Sequence, residues 1–150
     1  GKKTMRIILD TNEYIFGLDR ETGEDAPARL LNAIRVLIEE AEGFRLLIPE
    51  IIRKEVQRNI PEDLEGDFYR LIYSSEKIEH HSMLNIPVKL FEKYRSKKGL
   101  KGGDALIAAF AEFAQVDYLI SENRHIYRDL EVREFTSVSA QEFLKMLEEE

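Results

Sequence analysis

Three short, uninterrupted apolar runs constrain this chain most: Ile7-Ile8-Leu9, Leu46-Leu47-Ile48 and Tyr118-Leu119-Ile120. A strand with one wet face alternates polar and apolar residues. A continuous run instead suits a strand covered on both faces, the environment of a parallel sheet. Helical spacings lie between these runs. Leu30, Leu31, Ile34, Leu37, Ile38 and Ala41 recur at helical period, and Gly43 is a natural stop. Pro49 opens a helix expected to reach Asn59. Ala105 to Ala111 carry no polar side chain and predict a buried helix from Asp104 to Gln115, and a last helix is expected from Ala140 to Glu149. Leu64, Phe68, Leu71 and Ile72 suggest one further helix, and Val88, Leu90, Phe91 and Tyr94 another. Lys77 to His81 reads as a short strand or a loop, and Val132 to Val138 contains a weaker strand. The alternation implies one α/β domain over residues 1–150, a three-layer α/β/α sandwich around a mainly parallel central sheet.

Composition narrows the function. A chain of 150 residues can bury one good core. No apolar run approaches the ~18–20 residues that cross a bilayer, and no leader pattern opens the chain, so a soluble, cytoplasmic protein with no membrane partner is expected. Gly1 to Thr4 read as a ragged or added lead, with Met5 a natural start. Cysteine is absent, which excludes disulfides, thiolate metal sites and thiol nucleophiles. Twenty-two Lys and Arg against 29 Asp and Glu give a net charge of −7. Such a chain lacks the general electrostatic footprint of a nucleic-acid binder, so any such role needs a local basic surface. Charged residues make up 34%, and with no Cys or Trp this points toward a heat-tolerant source.

Most carboxylates coat exposed helix faces; four positions do not. Asp10 directly follows the first apolar run, at a strand's carboxyl end, where open α/β sheets bind ligands. Capping the next helix accounts for it equally well. With Ile51 at 0° on a helical wheel, Glu55 falls at about 40° and Asn59 at about 80°, inside the arc of Ile52 and Val56. A Glu there is buried, paired or bound, with Arg58 the simplest partner. Asp104 opens the buried helix, and an N-cap explains it but not the preceding Gly102-Gly103 pair, which would admit backbone or substrate closely. Glu122 and Asn123 stand where Asp10 does, after a strand, or form an ordinary polar turn.

Topology couples the four positions. In a parallel sheet all strand carboxyl ends share one edge, and the helices bearing Glu55 and Asp104 begin at that edge. Crowded carboxylates cannot all ionise uncompensated. A hard dication held by oxygen ligands, Mg²⁺ or Mn²⁺, compensates them economically. Zinc is disfavoured, because His80, His81 and His125 show no ligand spacing. This equipment suits metal-assisted phosphodiester hydrolysis by an activated water.

The chain resembles the PIN-domain family of metal-dependent ribonucleases, which includes VapC-type toxins. The resemblance rests on Ile8-Leu9-Asp10-Thr11-Asn12, Glu55, Gly103-Asp104-Ala105-Leu106-Ile107-Ala108-Ala109 and Leu119-Ile120-Ser121-Glu122-Asn123. It implies a PIN-like three-layer fold, RNA cleavage, and Asp10, Glu55 and Asp104 at the acidic metal-site positions. The fourth position falls on Asn123 or Glu122; family spacing points to Asn123, and an amide there weakens a second metal. Thr11, Asn12 and Ser121 match the family's polar positions and would orient the acids or a metal-bound water. The toxin branch further implies a small antitoxin partner and a homodimer.

Lys97, Lys98 and Lys101 lead into Asp104, and Arg124 and Arg128 follow Asn123. These cations flank the expected cleft and could hold RNA phosphates, although Arg128 also reads as plain solvated charge and His125 as structural. A haloacid-dehalogenase-type phosphatase would need a second Asp where Asn12 stands, and a receiver domain lacks its acidic pair. The stronger rival is a PIN-like module that binds RNA or protein with weak or no catalysis, favoured by the acidic balance and the uncertain fourth ligand.

Overall fold

The computed structural model describes residues 4–19 and 25–149; the expected lead at Gly1 to Thr4 lies outside them except for an exposed Thr4. Five strands and eight helices follow in the order β1 (Met5–Leu9), α1 (Thr11–Asp19), α2 (Ala26–Glu40), β2 (Phe44–Pro49), α3 (Glu50–Asn59), α4 (Glu65–Ile72), β3 (Ile78–His81), α5 (Val88–Glu92), α6 (Gly102–Phe113), β4 (Tyr118–Ile120), α7 (Arg124–Tyr127), β5 (Thr136–Val138) and α8 (Ala140–Glu148).

All described strands pair in parallel, in the order β3-β2-β1-β4-β5. The sheet is therefore wholly parallel where a mainly parallel one was expected, and Lys77 to His81 resolves as an edge strand. Right-handed crossovers from β1 outward to β2 and β3 set α1 to α4 on one face. The return toward β4 and β5 sets α5 and α6 on the other. The sheet therefore lies between two helical layers, and α8 joins the first by packing against α2. The continuous runs behave as their composition dictates: Ile7, Ile8, Leu9, Leu46, Leu47, Leu119 and Ile120 are fully buried. In α6, Ala105 and Ile107 to Ala111 are buried, and the N-cap is Lys101, so Asp104 is the third helical residue rather than the cap.

Two elements were not legible beforehand. After α5 the chain makes a π-helical turn over Lys93–Lys97. The buried Tyr94 explains the widened turn: its hydroxyl donates to Glu112 Oε1 at 2.6 Å. Lys93 Nζ bridges Glu112 at 2.7 Å and Glu134 at 3.1 Å from the same segment. Helix α7 occupies what reads as a polar turn, and Asn123 caps it by accepting from the His125 backbone. At the far end, Ser139 and Glu142 form a reciprocal capping box on α8. Among the described residues no helix is long and apolar enough to cross a membrane.

Progression along the sheet reverses between β1 and β4. That is the topological switch point, and its crevice opens at the strand carboxyl ends.

Candidate functional site

Asp10 and the Ser121-Glu122-Asn123 segment leave the sheet side by side at the switch point. The Asp10 backbone N–H donates to Ile120 O at 2.8 Å, which locks the two strand ends together. Ser121 is fully buried; its hydroxyl donates to Asp10 Oδ2 at 2.7 Å and accepts from the Asn123 N–H at 3.0 Å. The Asn123 amide donates to Asp104 Oδ2 at 3.0 Å. On the other side, the Thr11 N–H donates to Asp10 Oδ1 at 2.9 Å and its hydroxyl donates to Glu55 Oε2 at 2.8 Å. A Cβ at Gly103 would sit 3.8 Å from Glu55 Oε1, so the first turn of α6 lies directly on α3. One hydrogen-bonded chain thus runs Glu55–Thr11–Asp10–Ser121–Asn123–Asp104, drawn from four separated parts of the sequence.

The electrostatics follow from this crowding. The Asp10 carboxyl is raised above its ordinary value, first by burial and then by the charges of Asp104 and Glu55, with the Ser121 and Thr11 hydrogen bonds opposing. Asp10 is held ready to ionise in a place that penalises the negative charge, and a nearby cation would relieve that penalty.

Not every expected residue joins the chain. Asn12 is exposed on the first turn of α1. Asn59 is exposed rather than inside the apolar arc, and its amide donates to Glu55 O at 2.8 Å. The Glu55 side chain is bonded to Thr11 and not to Arg58. Of the two residues left open at the fourth position, Asn123 is the one bonded to Asp104. Glu122 is engaged elsewhere, accepting from the Ala140 N–H at 3.0 Å at the start of α8. Lys97, Lys98, Lys101, Arg124 and Arg128 are all exposed.

One acidic residue was missed. Glu13 is fully buried on α1, and neither of its carboxyl oxygens receives a hydrogen bond. It faces Glu122, and two carboxyl groups in contact require a proton between them. Burial first, and Glu122 second, push the Glu13 carboxyl up to about 10, so it stays neutral at pH 7. The only advance signal was its spacing of three from Asp10, lost in a helix start that reads as ordinary.

The donors are hard oxygen ligands of the kind Mg²⁺ and Mn²⁺ prefer. Among the described residues no three His, Asp or Glu side chains stand ready as a finished cage. A cavity of about 520 Å³ lined by Gly17, Asn32, Arg35 and Arg70 lies between α1, α2 and α4 and includes none of these residues.

No family model and no curated protein matches the chain. Solved structures do. VapBC2 from Rickettsia felis, bound to a DNA fragment from their promoter, superposes with a TM-score of 0.62 at 18% identity, over 90% of this chain and 98% of that one. A toxin-antitoxin complex from Klebsiella pneumoniae gives 0.60 at 18% identity, over 87% of this chain and 95% of the other. The likeness is one of fold: the chain shares its α/β sandwich with these toxin-antitoxin structures over nearly its whole length.

Proposed function

We propose that this chain is a divalent-metal-dependent ribonuclease that hydrolyses RNA phosphodiester bonds, acting as a VapC-type toxin. The observation that carries the proposal is the hydrogen-bonded chain that joins Asp10, Glu55 and Asp104 at the switch point. Asp10 and Asp104 would hold Mg²⁺ or Mn²⁺, with Glu55 beside the first turn of α6 that carries Asp104. When bound, the metal supplies a lowered water pKa and neutralises charge building on the phosphate. Ser121 and Thr11 fix the Asp10 carboxylate from both sides, so its lone pairs point where they are needed without reorganisation. Asn123 does the same for Asp104 and leaves its second oxygen available. The exposed Lys97, Lys98, Lys101 and Arg124 stand beside the elements bearing Asp104 and Asn123, where they would hold RNA phosphates against the overall negative charge.

The likeness to toxin-antitoxin complexes over nearly the whole of both chains supports a small antitoxin as partner; a homodimer is what the resemblance to the toxin branch implies. A second reading has its own support: without a finished three-acid cage, the site suits a PIN-like module that binds RNA or protein with little catalysis.

The test is cleavage of single-stranded RNA with Mn²⁺ or with EDTA, for wild type, Asp10→Asn and Asp104→Asn. Metal-dependent cleavage should fall at least about a hundredfold in both variants, the upper end of what even outer-shell changes cost. Equal cleavage by wild type and variants, or cleavage in EDTA, defeats the nuclease proposal. Binding without cleavage selects the second reading.

A further inference from the structure

A second cavity, of about 490 Å³, takes no part in the acidic chain, yet both of its walls are continuous with it. One wall is the loop from Lys98 to Leu100, four residues before Asp104, turned by Gly99 at a φ of 71°. The other begins at His125, two residues after Asn123, whose side-chain oxygen accepts from the His125 N–H at 3.0 Å. Leu100 and Leu130, both nearly buried, add a small apolar share to a mostly polar lining. Asp129 and Glu131 bring carboxylates to it, and His125 Nδ1 lies 3.5 Å from Asp129 Oδ2.

The lining excludes some ligands by charge. Two carboxylates beside one lysine disfavour a phosphate at the centre of the cavity and leave room for one only at its Lys98 edge. A ligand that suits it is flat, partly apolar, and rich in hydrogen-bond donors along one edge, with an anionic group near Lys98. A nucleobase on an RNA strand has this description. Adenine and cytosine present one amino group beside a ring acceptor, which a carboxylate repels, and uracil presents one donor between two carbonyls. Guanine alone presents N1–H and the N2 amino group side by side, matching the two oxygens of a carboxylate.

We infer that this cavity reads a guanine next to the scissile phosphate, with Asp129 or Glu131 taking the Watson–Crick edge, His125 offering a ring face and Lys98 the neighbouring phosphate. The inference deepens the ribonuclease reading and rests on it.

The test maps cuts in RNA carrying one randomised position, with Mn²⁺, and repeats them with inosine, which lacks the N2 amino group. Wild type should enrich guanine at one position beside the cut and slow at least about fivefold on inosine. That guanine–inosine gap should close in Asp129→Asn or in Glu131→Gln. No enrichment, or a gap unchanged in both variants, overturns the inference. If wild type cuts no RNA, the ribonuclease reading fails by itself. Titration of 5′-GMP against 5′-IMP, followed at the His125 ring by NMR, then decides the cavity. A saturable shift stronger for GMP and lost in either variant supports it; equal or absent shifts overturn it.

Discussion

Replacing Glu13 by glutamine isolates one buried proton. The Glu13 side chain is fully buried, and its carboxyl titrates at about 10 instead of 4.5. Above about pH 4.5 the unfolded chain releases this proton while the folded chain keeps it. The folded state then binds more protons, so stability falls as pH rises from 4.5 toward 10. The slope for one proton is about 1.4 kcal/mol per pH unit, hence about 2.7 kcal/mol between pH 5 and pH 7. Glutamine has the same shape and stays neutral beside Glu122, and it has no proton to lose. It brings a second N–H into a buried place, a fixed cost of about 1–3 kcal/mol. The stability of Glu13→Gln relative to wild type should therefore rise by about 2.7 kcal/mol from pH 5 to pH 7, whatever its starting offset. Urea unfolding at pH 5, 6 and 7 measures it, and other groups titrate alike in both proteins and cancel. Parallel curves, with the difference constant across this range, would refute a neutral Glu13.

Other expectations follow from single contacts. Ser121→Ala removes the donor to Asp10 and the acceptor for the Asn123 N–H; Mn²⁺ affinity by calorimetry should fall about 10–100-fold, and stability by about 1–3 kcal/mol. Thr11→Val keeps the shape but frees Glu55, and Mn²⁺-dependent cleavage should drop about tenfold with little change in melting temperature. At Gly17 a Cβ would meet Leu31 Cδ1 at 2.6 Å and Pro27 O at 2.8 Å; Gly17→Ala should cost about 1–3 kcal/mol in urea unfolding because a backbone oxygen cannot step aside. Glu112→Gln weakens the acceptor shared by the Tyr94 hydroxyl and Lys93, and should destabilise by about 1–3 kcal/mol while leaving RNA cleavage intact.

Much of the fold was legible because a parallel sheet writes itself plainly. The runs at Ile7, Leu46 and Leu119 had to be covered on both faces, and the polar residues that end the first and third, Asp10 and Ser121, mark the open edge. Asp10, Glu55 and Asp104 were legible for the same reason, since strand ends and helix starts meet at one edge. Glu13 was not, because nothing local distinguishes a buried neutral acid from a solvated one; its burial in the folded chain decides it first, and Glu122, more than a hundred residues away, second. Glu122 and Asn123 are adjacent, and chain order alone could not say which meets Asp104 and which meets α8. The π-helical turn at Lys93–Lys97 depends on Glu112 and Glu134, which lie beyond any local pattern. Asn59 misled because an ideal wheel ignores that the last turn of α3 emerges from the core.

Manganese-soaked crystals, measured at the metal's absorption edge, test the cation-binding proposal most directly. Anomalous density between the carboxylates of Asp10 and Asp104 is the predicted result. A soaked crystal with no density there, or with density at Glu13 and Glu122 instead, would contradict it.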